Sequence, residues 1–325
     1  MSGSEIPEPV TAVTELAGAW LPVRLTEVEQ RLRRLVGEQR PPLAGDAAST
    51  LEAGGKRMRP LLVLLCAGPG AGEDAIRAAT AIELVHMATL VHDDVLDAAP
   101  LRRGRPTVVA TAGRERALAT GDLLFSRAFA LLAEPGSERA VRALAQASTA
   151  LAQGELAQRQ DAFDLGVTTE RYLYRCELKT AALFECACVI GRERPGLEEA
   201  ALLAFGRQIG LAFQLLDDVL DVLGPPERTG KARGTDLLGG TVTLPLIRAI
   251  ERDPELAAID LRTLDGAGAE RICDRIIATG APERVRAEAR ERVALAKAGL
   301  EQASLPAEEL MMLATVADGV VERYS

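Results

Sequence analysis

One acidic pentapeptide occurs twice in the chain, as Asp93-Asp94-Val95-Leu96-Asp97 and again as Asp217-Asp218-Val219-Leu220-Asp221. In a helix, residues four apart share a face, so Asp93 with Asp97, and Asp217 with Asp221, each present two carboxylates on one side. Neighbouring acids repel, and a hard cation relieves that repulsion: Mg²⁺ prefers oxygen ligands, keeps several waters and often bridges carboxylates to phosphates. A pair of solvated acidic helix ends is the plainer alternative. Apolar sequence runs straight into each cluster, however, through Ala88-Thr89-Leu90-Val91-His92 and Phe213-Gln214-Leu215-Leu216. A carboxylate emerging from a buried helix needs a partner, and a metal at a pocket mouth supplies one.

Cations stand where a polyanion would need them: Lys56, Arg57 and Arg59 in one group, Arg102, Arg103 and Arg105 after the first acidic cluster, then Lys179 (beside Thr180) and Lys231. Arginine offers phosphate a planar bidentate fork and lysine a compact point charge. Each alone is an ordinary surface base. Together with twin carboxylate clusters they suit a substrate carrying two or more phosphates. The only histidines are His86 and His92; His92 is placed to orient the carboxylates, and His86 to donate to a bound phosphate. The chain lacks the spacing of a His/Cys zinc site, a Gly-x-Ser-x-Gly nucleophile turn, a P-loop and a dinucleotide fingerprint.

Composition narrows the setting. The chain has 325 residues, and 38 basic against 47 acidic residues give a net charge of −9, which argues against general affinity for nucleic acid or anionic lipid. Aromatics are only 3%, and the apolar residues are mostly Ala and Leu, which favours helix over sheet. Cys66, Cys176, Cys186, Cys188 and Cys273 lie on apolar stretches without ligand spacing, as reduced core thiols of a cytoplasmic protein would. Neither a signal peptide nor a membrane span is expected, because residues 1–10 hold acids and prolines and the longest apolar stretch, 61–67, ends at Gly68-Pro69.

Elements able to position these residues follow from periodicity and punctuation. Helices are expected over 10–38, from Pro60 to the glycines at 68–72, then over 73–97, 114–133, 137–163, 169–190 and 197–223, with shorter ones to the C-terminus. A polar, Gly-rich stretch at 224–240 is long for a structureless loop and so suggests function. The expectation is an all-α chain: one large helix bundle over 1–325, with residues 1–9 a loose tail.

In its sequence Gly54-Gly55-Lys56-Arg57-Met58-Arg59-Pro60, His92 to Asp97, Leu101-Arg102-Arg103-Gly104, Gly154-Glu155, Lys179-Thr180-Ala181, Phe213 to Asp221, Gly230-Lys231 and Thr243-Leu244-Pro245, the chain resembles the trans-isoprenyl diphosphate synthases, the polyprenyl synthetase family. The resemblance spans about Leu51 to Pro245. It implies an isoprenoid-synthase bundle with a central prenyl-binding cavity, and an all-trans polyprenyl diphosphate synthase activity, the Mg²⁺-dependent head-to-tail condensation of isopentenyl diphosphate with an allylic prenyl diphosphate. It also implies three Mg²⁺ ions per active site, a homodimer and a cytoplasmic setting. Residue by residue, it makes Asp93, Asp97 and Asp217 metal ligands, with Asp94, Asp218 and Asp221 supporting them. Lys56, Arg59, His86 and Arg103 match positions that hold isopentenyl diphosphate. Arg102, Lys179 and Lys231 match those that grip the allylic diphosphate, with Thr180 and Gln214 lining the reacting region.

One position departs from the family pattern: Gly240 is followed by Thr241 where a lysine is usual, which removes one diphosphate contact. Arg228, Arg233 and Arg248 are candidates to replace it. Product length is expected to depend on the residues about one turn before the first cluster, Ala88 and Thr89, with Val85 and Leu84 below. Both are small and the cluster lacks the two-residue insertion of many bacterial short-chain enzymes, so a product longer than geranylgeranyl diphosphate is expected. Phe125 and Phe129, four apart on a neighbouring helix, would form a deeper floor or simply pack in the core. The alternatives are a short-chain farnesyl or geranylgeranyl diphosphate synthase, a class I terpene cyclase, a non-catalytic partner subunit and a purely structural bundle.

Overall fold

Long apolar-periodic segments free of glycine and proline form the scaffold, and the computed structural model describes residues 8–134, 137–192, 196, 198–224, 233–303 and 305–322. Helices α1 (Glu8–Ala17), α2 (Trp20–Gly37), α3 (Leu43–Glu52), α4 (Met58–Ala67) and α5 (Glu73–Leu96) lead into a tight hairpin, β1 (Leu101–Arg102) with β2 (Arg105–Pro106). Then come α6 (Val108–Ala112), α7 (Arg114–Ala133), α8 (Glu138–Gln160) and α9 (Thr169–Cys176), a π turn (Glu177–Ala181), α10 (Ala182–Ile190) and α11 (Glu199–Leu223). The chain continues through α12 (Thr235–Leu238), α13 (Leu244–Ile250), two short 3₁₀ turns, α14 (Gly266–Ala278), α15 (Ala281–Glu301) and α16 (Ala307–Glu322). The all-α expectation holds. One continuous hydrophobic core runs from Val13 to Val320, and all five cysteines are buried and free.

The two acid-bearing helices are the central ones. Around α5 pack α2, α4, α7, α8 and α10, while α11 lies against α10, the π turn, α14 and α15. Burial runs nearly all round α5, from Ala75 to Val95. A helix buried on nearly every side belongs in the interior. Gly206 and Gly210 let α11 approach closely: an added Cβ would lie 2.8 Å from Phe184 O and 2.6 Å from Ala181 Cα.

Several boundaries differ from expectation. The first helix breaks at Gly18, whose φ of +67° is left-handed, so residues 10–38 form two helices and residues 8–9 belong to the first of them rather than to a tail. Residues 1–7 lie outside the described residues, as do 225–232 of the Gly-rich stretch. The 101–106 hairpin was not foreseen; Arg103 and Gly104, both at positive φ (52° and 74°), form its two-residue turn. Among the described residues, no helix is long and apolar enough to cross a membrane.

Candidate active site

At the end of α5 the three acids take different surroundings. Asp94 is buried and accepts from Arg102 Nε at 2.8 Å, a contact made by the strand entering the hairpin. Asp97, exposed at the helix end, accepts from Arg159 Nη2 at 2.7 Å. Arg159 also donates from Nε to Glu155 Oε1 at 2.9 Å, and the other Glu155 oxygen accepts from Lys179 Nζ. Asp93 is within electrostatic reach of Lys179, Glu155, Arg102 and Asp97. Burial raises its pKa and Glu155 and Asp97 add to the rise, while Lys179 and Arg102 oppose it. Burial also disfavours the Lys179 ammonium, but Asp93 and Glu155 outweigh it and hold that pKa above its ordinary value.

Lys179 and Thr180 reach this place because the helix over 169–190 is interrupted by the π turn. Such one-turn bulges insert an extra residue and re-aim side chains. The turn sits on Gly154 of α8, where an added Cβ would lie 2.5 Å from the Lys179 backbone nitrogen. Alanine is the better helix former by about 1 kcal/mol. Against it stands main chain that cannot swing aside, and overpacking costs about 1–3 kcal/mol. Gly154→Ala is therefore expected to lower the denaturation midpoint and slow turnover together; an unchanged or higher midpoint in urea would show that α8 and the turn part freely.

The end of α11 is arranged similarly. Asp218 is buried and accepts from Tyr172 Oη at 2.5 Å and from Gln214 Nε2 at 2.7 Å, and Thr180 Oγ1 donates to Gln214 Oε1 at 2.7 Å. Burial pushes the Asp218 carboxyl up to about 8, with Asp236 adding and the two donors opposing. Asp221 accepts from the Asp236 backbone N–H at 3.1 Å. Asp217 instead lines a cavity of about 1450 Å³.

That cavity gathers the first cationic group: Lys56, Arg57, Arg59, His86 and Arg103 line it with Phe184 and Phe213. Arg57, at φ 49° ahead of α4, is committed to the fold through Glu83 (2.7 Å) and Glu29 (3.1 Å). Gly55 passes so close that a Cβ would lie 2.7 Å from the Arg57 guanidinium. Arg59 stacks over the Phe184 ring at 4.6 Å, and its buried Nε has no hydrogen-bond partner. Burial lowers its pKa to about 10, with Glu83 and Asp217 resisting. Burial and four neighbouring arginines hold His86 well below its usual value, so the ring is neutral near pH 7, with one N–H to donate. Like charges gathered beside an orphaned donor form a site fitted to an anion.

The acids thus divide. Asp94, Asp218 and Asp221 are held by donors of the fold, Asp97 is exposed at the helix end beside Arg159, and Asp217 lines the cavity. Among the described residues, no three His, Cys, Asp or Glu converge tightly enough to form a ready metal cage. An all-oxygen donor set with open positions fits a hard cation that keeps its waters and is completed by phosphate.

Other expected residues fall elsewhere. His92 does not orient the carboxylates: its ring stacks on Phe125 at 5.8 Å, lies 3.4 Å from Leu118 O and Asp122, and fills the space left by Gly121, so it packs α5 on α7. Arg233 is bound to Asp274 and the Glu270 carbonyl, and Arg248 to Glu288, Glu251 and Thr169, so neither replaces the cation absent at Thr241. Arg228 and Lys231 lie outside the described residues. Ala88 and Val85 are fully buried, Thr89 donates to His86 O at 2.7 Å, and Phe125 and Phe129 are partly buried against the core. Three residues escaped the reading of the sequence. Glu83 carried one signal, a lone acid within an apolar helix; Arg159 carried another, its i+4 spacing from Glu155. Tyr172 carried none.

Residues 41–274 match the polyprenyl synthetase family. The chain is 42% identical over 240 residues to heptaprenyl diphosphate synthase component 2 of Geobacillus stearothermophilus, covering 72% of this chain and 75% of that one. It is 37% identical over 309 residues to a short chain isoprenyl diphosphate synthase of Methanothermobacter thermautotrophicus, covering 91% and 95%. Its fold superposes on the crystal structure of a polyprenyl synthase from Caulobacter crescentus, complexed with calcium and isoprenyl diphosphate, with TM-score 0.88, 34% identity, and 97% and 98% coverage.

Proposed function

Since the chain belongs to the polyprenyl synthetase family, we propose that it uses the mouth between α5 and α11 to condense isopentenyl diphosphate with an allylic prenyl diphosphate. It is a prenyltransferase, a polyprenyl diphosphate synthase. The observation that carries the assignment to this site is the pairing of two carboxylate-ended buried helices with an anion-fitted cavity holding the orphaned donor of Arg59.

Asp93, Asp97 and Asp217 would hold magnesium, three ions by resemblance to the family, supported by Asp94, Asp218 and Asp221 in fixing the two helix ends. The metal, when bound, supplies positive charge to the departing diphosphate. Arg102, Lys179 and Lys231 grip the allylic diphosphate, and Lys56, Arg59, His86 and Arg103 hold isopentenyl diphosphate. Neutral His86 adds a hydrogen bond there without adding charge. Thr180 and Gln214 line the region where the new carbon–carbon bond forms, and the apolar walls keep water from the allylic cation.

A product longer than geranylgeranyl diphosphate is supported by the small residues Ala88 and Thr89 above Val85, and by the relative named for a heptaprenyl product. Phe125 and Phe129 would form the deeper stop. The similarity to a short chain synthase along nearly the whole chain supports the second reading, a short-chain product. A homodimer in the cytoplasm is the simplest assembly, although the heptaprenyl relative is named as one component of its enzyme. Retention of both acidic clusters favours a catalytic chain over a passive partner.

The test is mass spectrometry of products after the protein meets Mg²⁺, isopentenyl diphosphate and, in parallel, dimethylallyl, geranyl, farnesyl or geranylgeranyl diphosphate. A ladder ending in one dominant long prenyl diphosphate is the expected result. Cyclic hydrocarbon would replace this reading with a terpene cyclase, and no turnover with any starter would point to a missing partner subunit.

A further inference from the structure

Tyr172 lines no part of the cavity, yet it begins a hydrogen-bonded chain that ends in the reacting region. Its hydroxyl donates to one oxygen of Asp218 at 2.5 Å, Gln214 Nε2 donates to the other at 2.7 Å, and Thr180 Oγ1 donates to Gln214 Oε1 at 2.7 Å. The chain crosses three elements: α9, α11 and the π turn. Its members are held tightly, with Tyr172 1% and Asp218 3% exposed. The Arg175 guanidinium lies over the face of the Tyr172 ring, 5.3 Å from its centroid.

Direction matters more than distance in such a chain. Both Asp218 oxygens accept here, one from the Tyr172 hydroxyl and the other from the Gln214 amide NH₂. An amide whose NH₂ is turned to that carboxylate presents its carbonyl on the other side. There the carbonyl accepts the Thr180 proton and leaves the hydroxyl oxygen of Thr180 an acceptor toward its remaining neighbours. Buried polar chains fully satisfied in this way hold one arrangement. Without the Tyr172 hydroxyl, one Asp218 oxygen loses its donor, the carboxylate can rotate, and the Gln214 amide loses the partner that fixes its sense.

We propose that Tyr172 is a positioning residue for prenyl transfer: through Asp218 it sets the orientation of the Gln214 amide and hence of the Thr180 hydroxyl. The inference rests on the prenyl-transfer reading above and deepens it.

The decisive variants are Tyr172→Phe, which keeps the buried ring, and Asp218→Asn, which keeps the shape but must donate on one side and so reverses either the Tyr172 hydroxyl or the Gln214 amide. In Tyr172→Phe, kcat is expected to fall on the order of tenfold, with KM for both diphosphates within about twofold of wild type. The fraction of allylic diphosphate lost to prenyl alcohol rather than elongated should rise severalfold, because a misoriented Gln214–Thr180 pair slows capture of the cation. Asp218→Asn should lose more, and the double variant should lose less than the product of the single effects. A purely structural tyrosine would lower thermal stability and active fraction without changing the alcohol-to-elongation ratio, and that result overturns the proposal. If Tyr172→Phe does not fold, the same ratio measured in Asp218→Asn decides. Absence of any elongation by the wild-type protein would overturn the underlying reading as well, and is told apart by needing no variant.

Discussion

Replacing Asp93 or Asp217 by alanine is expected to reduce kcat on the order of 10³-fold, about 4 kcal/mol of barrier, at saturating Mg²⁺ and substrates. Each carboxylate acts on charge that develops only as the diphosphate departs, so its loss falls on the transition state rather than on the helices. Stability should move independently of activity, and the sign follows from the surroundings of Asp93. Burial raises the pKa of its carboxyl in the folded chain. A carboxyl with a raised folded pKa contributes stability at low pH, and that contribution is lost as pH rises through the folded value. Near neutrality the ionised Asp93 is therefore a cost to the metal-free fold. Asp93→Ala should unfold at the same or a slightly higher temperature than wild type while its turnover collapses. Circular dichroism melts and steady-state rates on the same samples check both halves. Near wild-type rates in either variant would remove the ligand assignment, and a large loss of stability in Asp93→Ala would show that the residue serves the fold.

Asp218 supplies the contrast within the second motif. It accepts from two buried donors, so Asp218→Ala strands the Tyr172 hydroxyl and one hydrogen of the Gln214 amide. Leaving buried polar groups unpaired costs about 1–3 kcal/mol each. Two carboxylates adjacent in sequence thus answer to different terms, one to the departing diphosphate and one to the buried hydrogen bonds that fix the Gln214 amide. A helix turns each residue about 100° from the last, which is enough to set one at the cavity and the other in the core.

What the sequence made legible follows the same physics. Residues 114–133 were delimited to the residue, and α5 and α11 were placed within two, because Gly and Pro bound long periodic segments there. The acids were recognised as a site because apolar sequence led into them. What stayed hidden depends on contacts between elements distant in the chain. The π turn exists where Gly154 and Gly210 admit the backbone at 177–181, and no local propensity encodes that meeting. Arg57 looked like a substrate cation beside Arg59, but Glu83 and Glu29, from two other helices, claim it. His92 adjoins the acids in sequence yet faces α7, one helical step away. Arg233 and Arg248 were candidates to replace a missing cation until their carboxylate partners were placed.

Ala88→Phe is expected to shift the dominant product to a chain at least one isoprene unit shorter, and the argument rests on register. Ala88 and His92 share a face of α5 at i and i+4, and His92 is stacked on Phe125 of α7. The seam between α5 and α7 is therefore where Val85, Ala88, Phe125 and Phe129 come onto neighbouring faces. Ala88 is wholly buried, so an added ring has two possible fates. In a filled core it overpacks, costing about 1–3 kcal/mol and leaving the product pattern of the surviving enzyme unchanged. In a prenyl tunnel it enters space reserved for substrate, so the empty protein loses little stability and the growing chain meets a stop sooner. Thermal melts and product mass spectra of the same variant separate the two. A shorter ladder with a nearly unchanged melting temperature is the expected pair of results. A lowered melting temperature with an unaltered ladder would place the floor elsewhere, and Phe125→Ala and Phe129→Ala would then show whether lengthening occurs deeper along the same seam.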